Sequence, residues 1–250
     1  MKRGYGWRPD LPDRRDYMFS QFVSIGHLPS KIDLRKFCPP VEDQGRLGSC
    51  TANALVGNME FLEVRNKCRF SDMSRLFVYY NERVLEDTVG YDSGATLRDG
   101  IKTLKKLGVC AEGICPYVIS RFTEKPCARA YDDGLNHQIQ AYMRLTSIGQ
   151  MKRCLADGFP FVFGFSVYES FELPSVAKTG VVNMPGNDER VLGGHAVMAV
   201  GYNDLSKRFL VRNSWGSKWG MKGYFTMPYD YLDNRSLSND FWTIRKAENV

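Results

Sequence analysis

The apolar pattern of this chain changes period part-way along, and that change limits the possible folds more than any other feature. From Ser49 onward, Ala52, Leu55, Val56, Met59 and Leu62 recur at the spacing of one helix face, with Ser49 at the N-cap position. After Asp72, the residues Leu76, Phe77, Tyr80 and Val84 mark a second helix. Residues 95–107 predict a third, with Leu97, Ile101, Leu104 and Leu107 inward and Gly108 as its stop. A short fourth, near 147–157, carries Ile148, Met151 and Leu155 and ends at Gly158. Beyond it the stretches FPFVFGFSV (159–167), HAVMAVGY (195–202), RFLVRNSW (208–215) and KGYFTMP (222–228) read as strands. HAVMAVGY is apolar on both parities, as a strand buried on both faces is, and the turn-like NDLSK joins it tightly to the next. Helices first and antiparallel strands later make the α+β class.

Residues 1–27 lie outside this pattern. They carry two prolines and many charges without a sustained period, so they read as an extended arm rather than a domain. Tyr5, Trp7, Leu11, Tyr17, Met18 and Phe19 are too apolar for an idle tail and predict docking onto the body, either as plain surface packing or across a cleft.

The net charge of +6 is spread along the chain without a basic block, which argues against nucleic acid as a partner. No apolar run of secretory-signal length follows MKRGYGWRPD, and no stretch is long enough to span a bilayer, so no membrane role is expected. The seven cysteines are an odd number, so at least one stays unpaired within the chain; one or two disulfides remain open. Cys110, Cys115 and Cys127 have no tight zinc spacing and no nearby histidine, and no metal or organic cofactor is expected.

One of these cysteines is placed for chemistry. In DQGRLGSCTANAL, Cys50 falls in the first turn of the first helix, where unpaired N–H groups and the helix dipole favour a thiolate. A lone cysteine there is more often structural, so a proton-handling partner decides. Of the three histidines, His27 sits in the arm and His137 in a polar stretch that reads as surface. His195 follows Gly193-Gly194 and opens the buried strand. A hairpin centred near residue 205 sets Asn213 within a residue or two of His195, on the same side of the pleat. The Asn213 oxygen can then fix one imidazole nitrogen and leave the other toward a thiolate, with Trp215 covering the pair. Gln44 and the Cys50 backbone N–H are candidate donors to an oxyanion.

Together these stretches resemble the papain-like cysteine peptidases. PVEDQGRLGSC is similar to that family's nucleophile loop, GGHAVMAVGY to its histidine segment and VRNSWGSKWGMKGYF to its asparagine segment, in the family's order. The resemblance covers about residues 28–245. It implies a helical lobe (about 28–130) and a β lobe (about 131–245) within a peptidase domain over 28–250, with the site in the cleft between them. It further implies Cys50 as nucleophile, His195 as acid/base, Asn213 as its orienter and Gln44 in the oxyanion hole. Gly48, Ser49, Ser93, Gly94, Gly194, Trp215 and Trp219 become the substrate-contacting set, with Gly94 in YDSGATL matching a substrate-pinning glycine and Ser93 replacing another. The expected reaction is peptide hydrolysis through a thioester; the alternatives are capture of that thioester by an amine, action on a small non-peptide amide, and silent binding in the cleft. Leu47 replaces a customary disulfide cysteine and Thr51 a customary aromatic. With GWRPDLPDRRDY these departures look most like the bacterial and viral branch. The arm is therefore expected as an intramolecular inhibitor, peptides or proteins as substrates, and the cytoplasm or a virion as the location.

Overall fold

The computed structural model describes residues 4–21, 26–66 and 70–245. Its helices are α1 (Cys50–Arg65), α2 (Arg75–Leu85), α3 (Leu97–Lys106), α4 (Ala128–Gly134), α5 (Ile148–Ala156), α6 (Pro174–Thr179) and α7 (Tyr229–Asp233). Its strands are β1 (Lys31–Asp33), β2 (Ala141–Arg144), β3 (Phe161–Tyr168), β4 (Val191–Asn203), β5 (Arg208–Arg212), β6 (Tyr224–Pro228) and β7 (Ser238–Arg245). The strands form one antiparallel sheet in the order β2-β7-β3-β4-β5-β6, with β1 on β4 beyond its bulge. The helical period thus dominates the first part of the chain and the sheet the second, the α+β arrangement expected of the apolar pattern.

Helix α1 departs from that expectation in one respect. The spacing predicts one apolar face, yet α1 is buried nearly all round, between α2 and α3 on one side and β4 on the other. Its polar side chains therefore need partners inside the protein. Thr51 Oγ1 donates to Glu82 Oε2 (2.8 Å), Asn53 Nδ2 to the Ser49 carbonyl (2.9 Å), and Glu60 Oε1 accepts the Met73 N–H (3.1 Å). Glu63 pairs with His137 Nδ1 (3.2 Å), so His137 is a half-buried partner of α1 and not the surface residue its polar neighbours suggested. Ser49 holds the N-cap position, but its hydroxyl does not cap; it pairs with the Tyr117 hydroxyl and accepts from Asn53 Nδ2.

The arm docks on the body through part of its apolar set. Trp7 and Phe19 are buried, whereas Leu11 and Tyr17 stay exposed. A charged latch holds its middle. Asp10 is buried; Asp240 Oδ2 accepts its backbone N–H (2.8 Å), and its carboxylate accepts from the Arg98 N–H (3.1 Å) and Trp242 Nε1 (2.8 Å). Asp16 receives Arg98 Nη2 (2.7 Å) and Arg144 Nη1 (3.0 Å), and Arg144 Nη2 reaches Asp240 Oδ1 (2.6 Å).

Among the described residues, all six cysteines are free thiols, no His/Cys/Asp/Glu cluster suits a metal, and no helix is long and apolar enough to cross a membrane. Cys68 lies outside the described residues.

Burial lifts the Glu60 carboxyl from 4.5 to about 7 against the pull of the Met73 N–H and of Arg212 and Arg75. A folded value above the unfolded one means the native state binds the proton more tightly. The resulting stabilisation is full below about 4.5 and is lost as pH rises through about 7. Glu60→Gln should remove that slope. We expect the stability difference between wild type and variant, from urea midpoints, to change by on the order of 2 kcal/mol between about pH 4.5 and pH 8, in favour of the variant at the higher pH.

Candidate active site

The site forms where the start of α1 meets the β4–β5 hairpin. β4 and β5 pair with Met198 opposite Arg212 and Ala199 opposite Val211, so Asn213, just past β5, continues the ladder toward His195. His195 Nε2 lies 2.8 Å from Asn213 Oδ1, and both residues are buried. Asn213 Oδ1 also accepts the Ser214 N–H (2.9 Å), which fixes the amide with its oxygen toward the ring. An oxygen facing Nε2 requires that nitrogen to carry the proton, so in the neutral ring Nδ1 carries the lone pair. Trp215 stacks on the imidazole, with ring centroids 5.0 Å apart and 28° between planes. Trp219 sits one layer further out, edge-on to Trp215.

Cys50 is fully buried at the start of α1. Its sulfur receives the backbone N–H groups of Ala196, Gly6 and Thr51, so it lies against the residue that follows His195 and under the arm. The helix-start position alone predicts a lowered thiol pKa; in the structure, burial wins. It pushes the thiol up to about 11, with the Glu82 carboxylate adding to the rise, while the three N–H groups pull the other way.

Gln44 is held on several sides. Its backbone N–H donates to the Ser214 carbonyl (2.9 Å), its Oε1 accepts from Ser214 Oγ, and Nε2 donates to the Leu47 carbonyl (2.9 Å). The remaining Nε2 donation goes to the carbonyl of Gly4 in the arm (3.1 Å). The Gln44 amide is therefore fixed, with one N–H on the Gly4 carbonyl.

The arm passes through a channel of glycines. Trp7 N–H donates to the Gly194 carbonyl (3.0 Å), Ala95 N–H to the Gly6 carbonyl (2.7 Å) and Arg8 N–H to the Ala95 carbonyl (3.1 Å), in a parallel bridge. A Cβ on Gly94 would lie 2.0 Å from the Gly6 oxygen, and one on Gly6 would lie 1.7 Å from the Gly48 oxygen. Of the residues suggested for substrate contact, Gly48, Gly94 and Gly194 thus line the channel. Ser93 turns its hydroxyl to Thr88 and the Gly94 carbonyl, and Ser49 faces Tyr117. Ala95, which the sequence reading missed, supplies the backbone edge in place of Ser93. Asp92, also missed, braces the channel wall by accepting the Gly48 N–H (3.0 Å) and the Tyr79 hydroxyl. Nothing in an isolated Ala or Asp would have flagged either; the signal was their position beside Gly94.

Comparison with known proteins gives the family. Residues 28–241 match the family described as papain family cysteine protease. The chain belongs to that family. It is a hydrolase, a papain-like cysteine peptidase. It is 43% identical to an uncharacterized peptidase C1-like protein, L477, of Acanthamoeba polyphaga mimivirus, over 99% of this chain and 88% of that one. It is 30% identical to the cathepsin B-like CP3 of Giardia intestinalis, over 81% of this chain and 70% of that one. Among solved structures, xylellain, a cysteine protease from Xylella fastidiosa, matches with a TM-score of 0.90 and 43% identity, covering 98% of this chain and 97% of that one. The resemblance to the bacterial and viral branch is thus borne out, and the papain-like α+β fold with it.

Burial raises the Cys50 thiol and the arm lies over it, so removing the arm should lower its pKa. The pH dependence of Cys50 alkylation in the intact chain should have its midpoint near 11. In a chain lacking residues 1–27 the midpoint should fall. An unchanged midpoint would show that the arm is not what desolvates the sulfur.

Proposed function

We propose that this papain-family chain is a cysteine-type endopeptidase working through Cys50, His195, Asn213 and Gln44, and that residues 1–27 restrain it from within. The observation that carries the reading is the Gln44 amide, anchored on every other side and donating its remaining N–H to a peptide carbonyl. An oxyanion donor needs that preorganisation. His195 carries its proton on Nε2, and Nδ1 takes the proton of the Cys50 thiol. The thiolate attacks the scissile carbonyl and its oxygen develops charge against Gln44 Nε2 and the Cys50 N–H. The imidazolium then protonates the departing amine, and the freed base activates water to hydrolyse the thioester. Peptides or proteins are the substrates; Trp215 keeps water from the His195–Asn213 bond, and Trp219 walls the leaving-group side.

The arm occupies this site without presenting a bond to cut. The carbonyl on Gln44 belongs to Gly4, whereas the group on the Cys50 sulfur is the N–H of Gly6. The nucleophile therefore meets a donor where a substrate would offer a carbonyl carbon. This geometry favours the inhibitory role of the arm over plain surface packing.

The arm also suggests what the cleft accepts. The Trp7 indole lies where a Cβ on Gly164 would come within 1.8 Å of it, so the absence of a side chain there makes its pocket. That pocket gives the indole N–H no acceptor among the described residues. A phenyl ring, with no N–H to bury, suits it at least as well. We infer a preference for a large aromatic side chain at the substrate position that enters this pocket.

Turnover of fluorogenic peptides is the test. Cys50→Ala should abolish it, and Gln44→Ala should lower kcat by about 10²–10³. Removing residues 1–27 should raise turnover; no change would leave the arm as packing only. Gly164→Val should cut kcat/KM for aromatic peptides by about tenfold or more while sparing peptides with small side chains at that position. Product analysis with an added amine separates hydrolysis from transfer.

A further inference from the structure

Cys110 and Cys115 play no part in the site described above, yet their two thiols face one another. Both are free thiols and hydrogen-bond partners of one another. A tight turn between them, closed by the Ile114 N–H to the Ala111 carbonyl (3.0 Å), folds the intervening residues back. Ser74 pins both ends: its N–H donates to the Cys110 carbonyl (2.8 Å) and its hydroxyl to the Cys115 carbonyl. The two thiols differ in setting. Cys110 is fully buried, and Cys115 is half-buried at the wall of an open pocket that also contains Leu76, Pro116, Arg121 and Cys127.

We propose that Cys110 and Cys115 form a reversible dithiol/disulfide site that reacts with low-molecular-weight disulfides entering from this pocket. The asymmetry assigns the order of events. The hydrogen bond from Cys110 and the charge of Arg121 draw the Cys115 thiol below its usual range against burial and Glu112. The accessible Cys115 thiolate, its proton lost to solvent, attacks one sulfur of the small disulfide. That S–S bond breaks and one small thiolate leaves, taking the proton of Cys110. The Cys110 sulfur then attacks Cys115, the mixed disulfide breaks, and the second small thiolate leaves and is protonated. Two protein thiols are oxidised and one small disulfide is reduced to two thiols. A short loop of this kind confers little chain-entropy stabilisation, which suits a bond that is made and broken rather than a permanent staple. The loop leads through Pro116 to Tyr117, whose hydroxyl pairs with Ser49 and donates to the Gln44 carbonyl (3.0 Å), so the pair sits on the strut that braces the nucleophile turn.

The site rests on geometry independent of the peptidase reading, and its test does not use activity. The full chain carrying Cys50→Ala is equilibrated in glutathione mixtures of graded ratio, quenched in acid, alkylated and digested with trypsin. Residues 107–121 contain both cysteines and no internal Lys or Arg, so they leave as one peptide. In oxidising mixtures that peptide should appear unalkylated and two hydrogens lighter, and it should return to the doubly alkylated form in reducing ones. Cys110→Ser should trap glutathione on Cys115, and Cys127→Ser should leave the internal disulfide unchanged. A peptide that stays doubly alkylated at every ratio, a stable glutathione adduct on Cys115 with Cys110 intact, or a Cys115–Cys127 link would each overturn the proposal.

Discussion

His195 is oriented by an oxygen that is itself held in place. Asn213 Oδ1 accepts from both His195 Nε2 and the Ser214 N–H, while Ser214 reaches Gln44 through its backbone carbonyl and its hydroxyl. Imidazole tautomer, asparagine orientation and the aim of the glutamine amide are therefore one connected network. It depends on the β4–β5 register: a slip by one residue would turn the side chain of residue 195 or that of residue 213 to the other face of the sheet. Hydrogen bonds in a buried network are stronger than the same bonds in water, which ties the rigidity of the cleft to the packing of the hairpin.

The sulfur of Cys50 shows two opposing effects at one atom. A helix start with converging N–H groups stabilises a thiolate, and complete burial destabilises it. With the arm in place, burial prevails. The chain segment that lies over the sulfur also brings one of the stabilising donors, the N–H of Gly6. Burial keeps the thiol protonated while the N–H groups around it stay aimed at the sulfur.

The change of period, the four principal helices, the main strands and the hairpin centre were legible in the sequence because each follows from side-chain spacing over a local window. The proposed Cys50, His195, Asn213 and Gln44 stand out in the sequence because their residue types and flanking glycines are unusual together. The pairing of His137 with Glu63 was not, because it joins α1 to a distant turn and leaves no local pattern. The full burial of α1 was hidden for the same reason: nothing local to Asn58, Glu60 and Glu63 shows that α2, α3 and β4 close around the helix. Ala95 was hidden more deeply still, since it contributes only backbone atoms.

The path of the arm follows from what is missing rather than from what is present. Gly6 meets Gly48 and Gly94, and Trp7 meets Gly164 and Gly194, at separations that no Cβ would permit. Close approach of two backbones normally requires a ladder of hydrogen bonds to compensate the polar groups buried, and the bonds to Ala95 and Gly194 provide it. The latch around Asp10 lies outside this channel, and its partners Arg98, Arg144, Asp240 and Trp242 come from α3, β2 and β7. Channel and latch act on different residues of the same arm. The latch orders the chain beside the cleft and so reduces the entropy lost when Gly4, Gly6 and Trp7 enter it, which makes a short segment with few apolar contacts sufficient to cover a buried thiol.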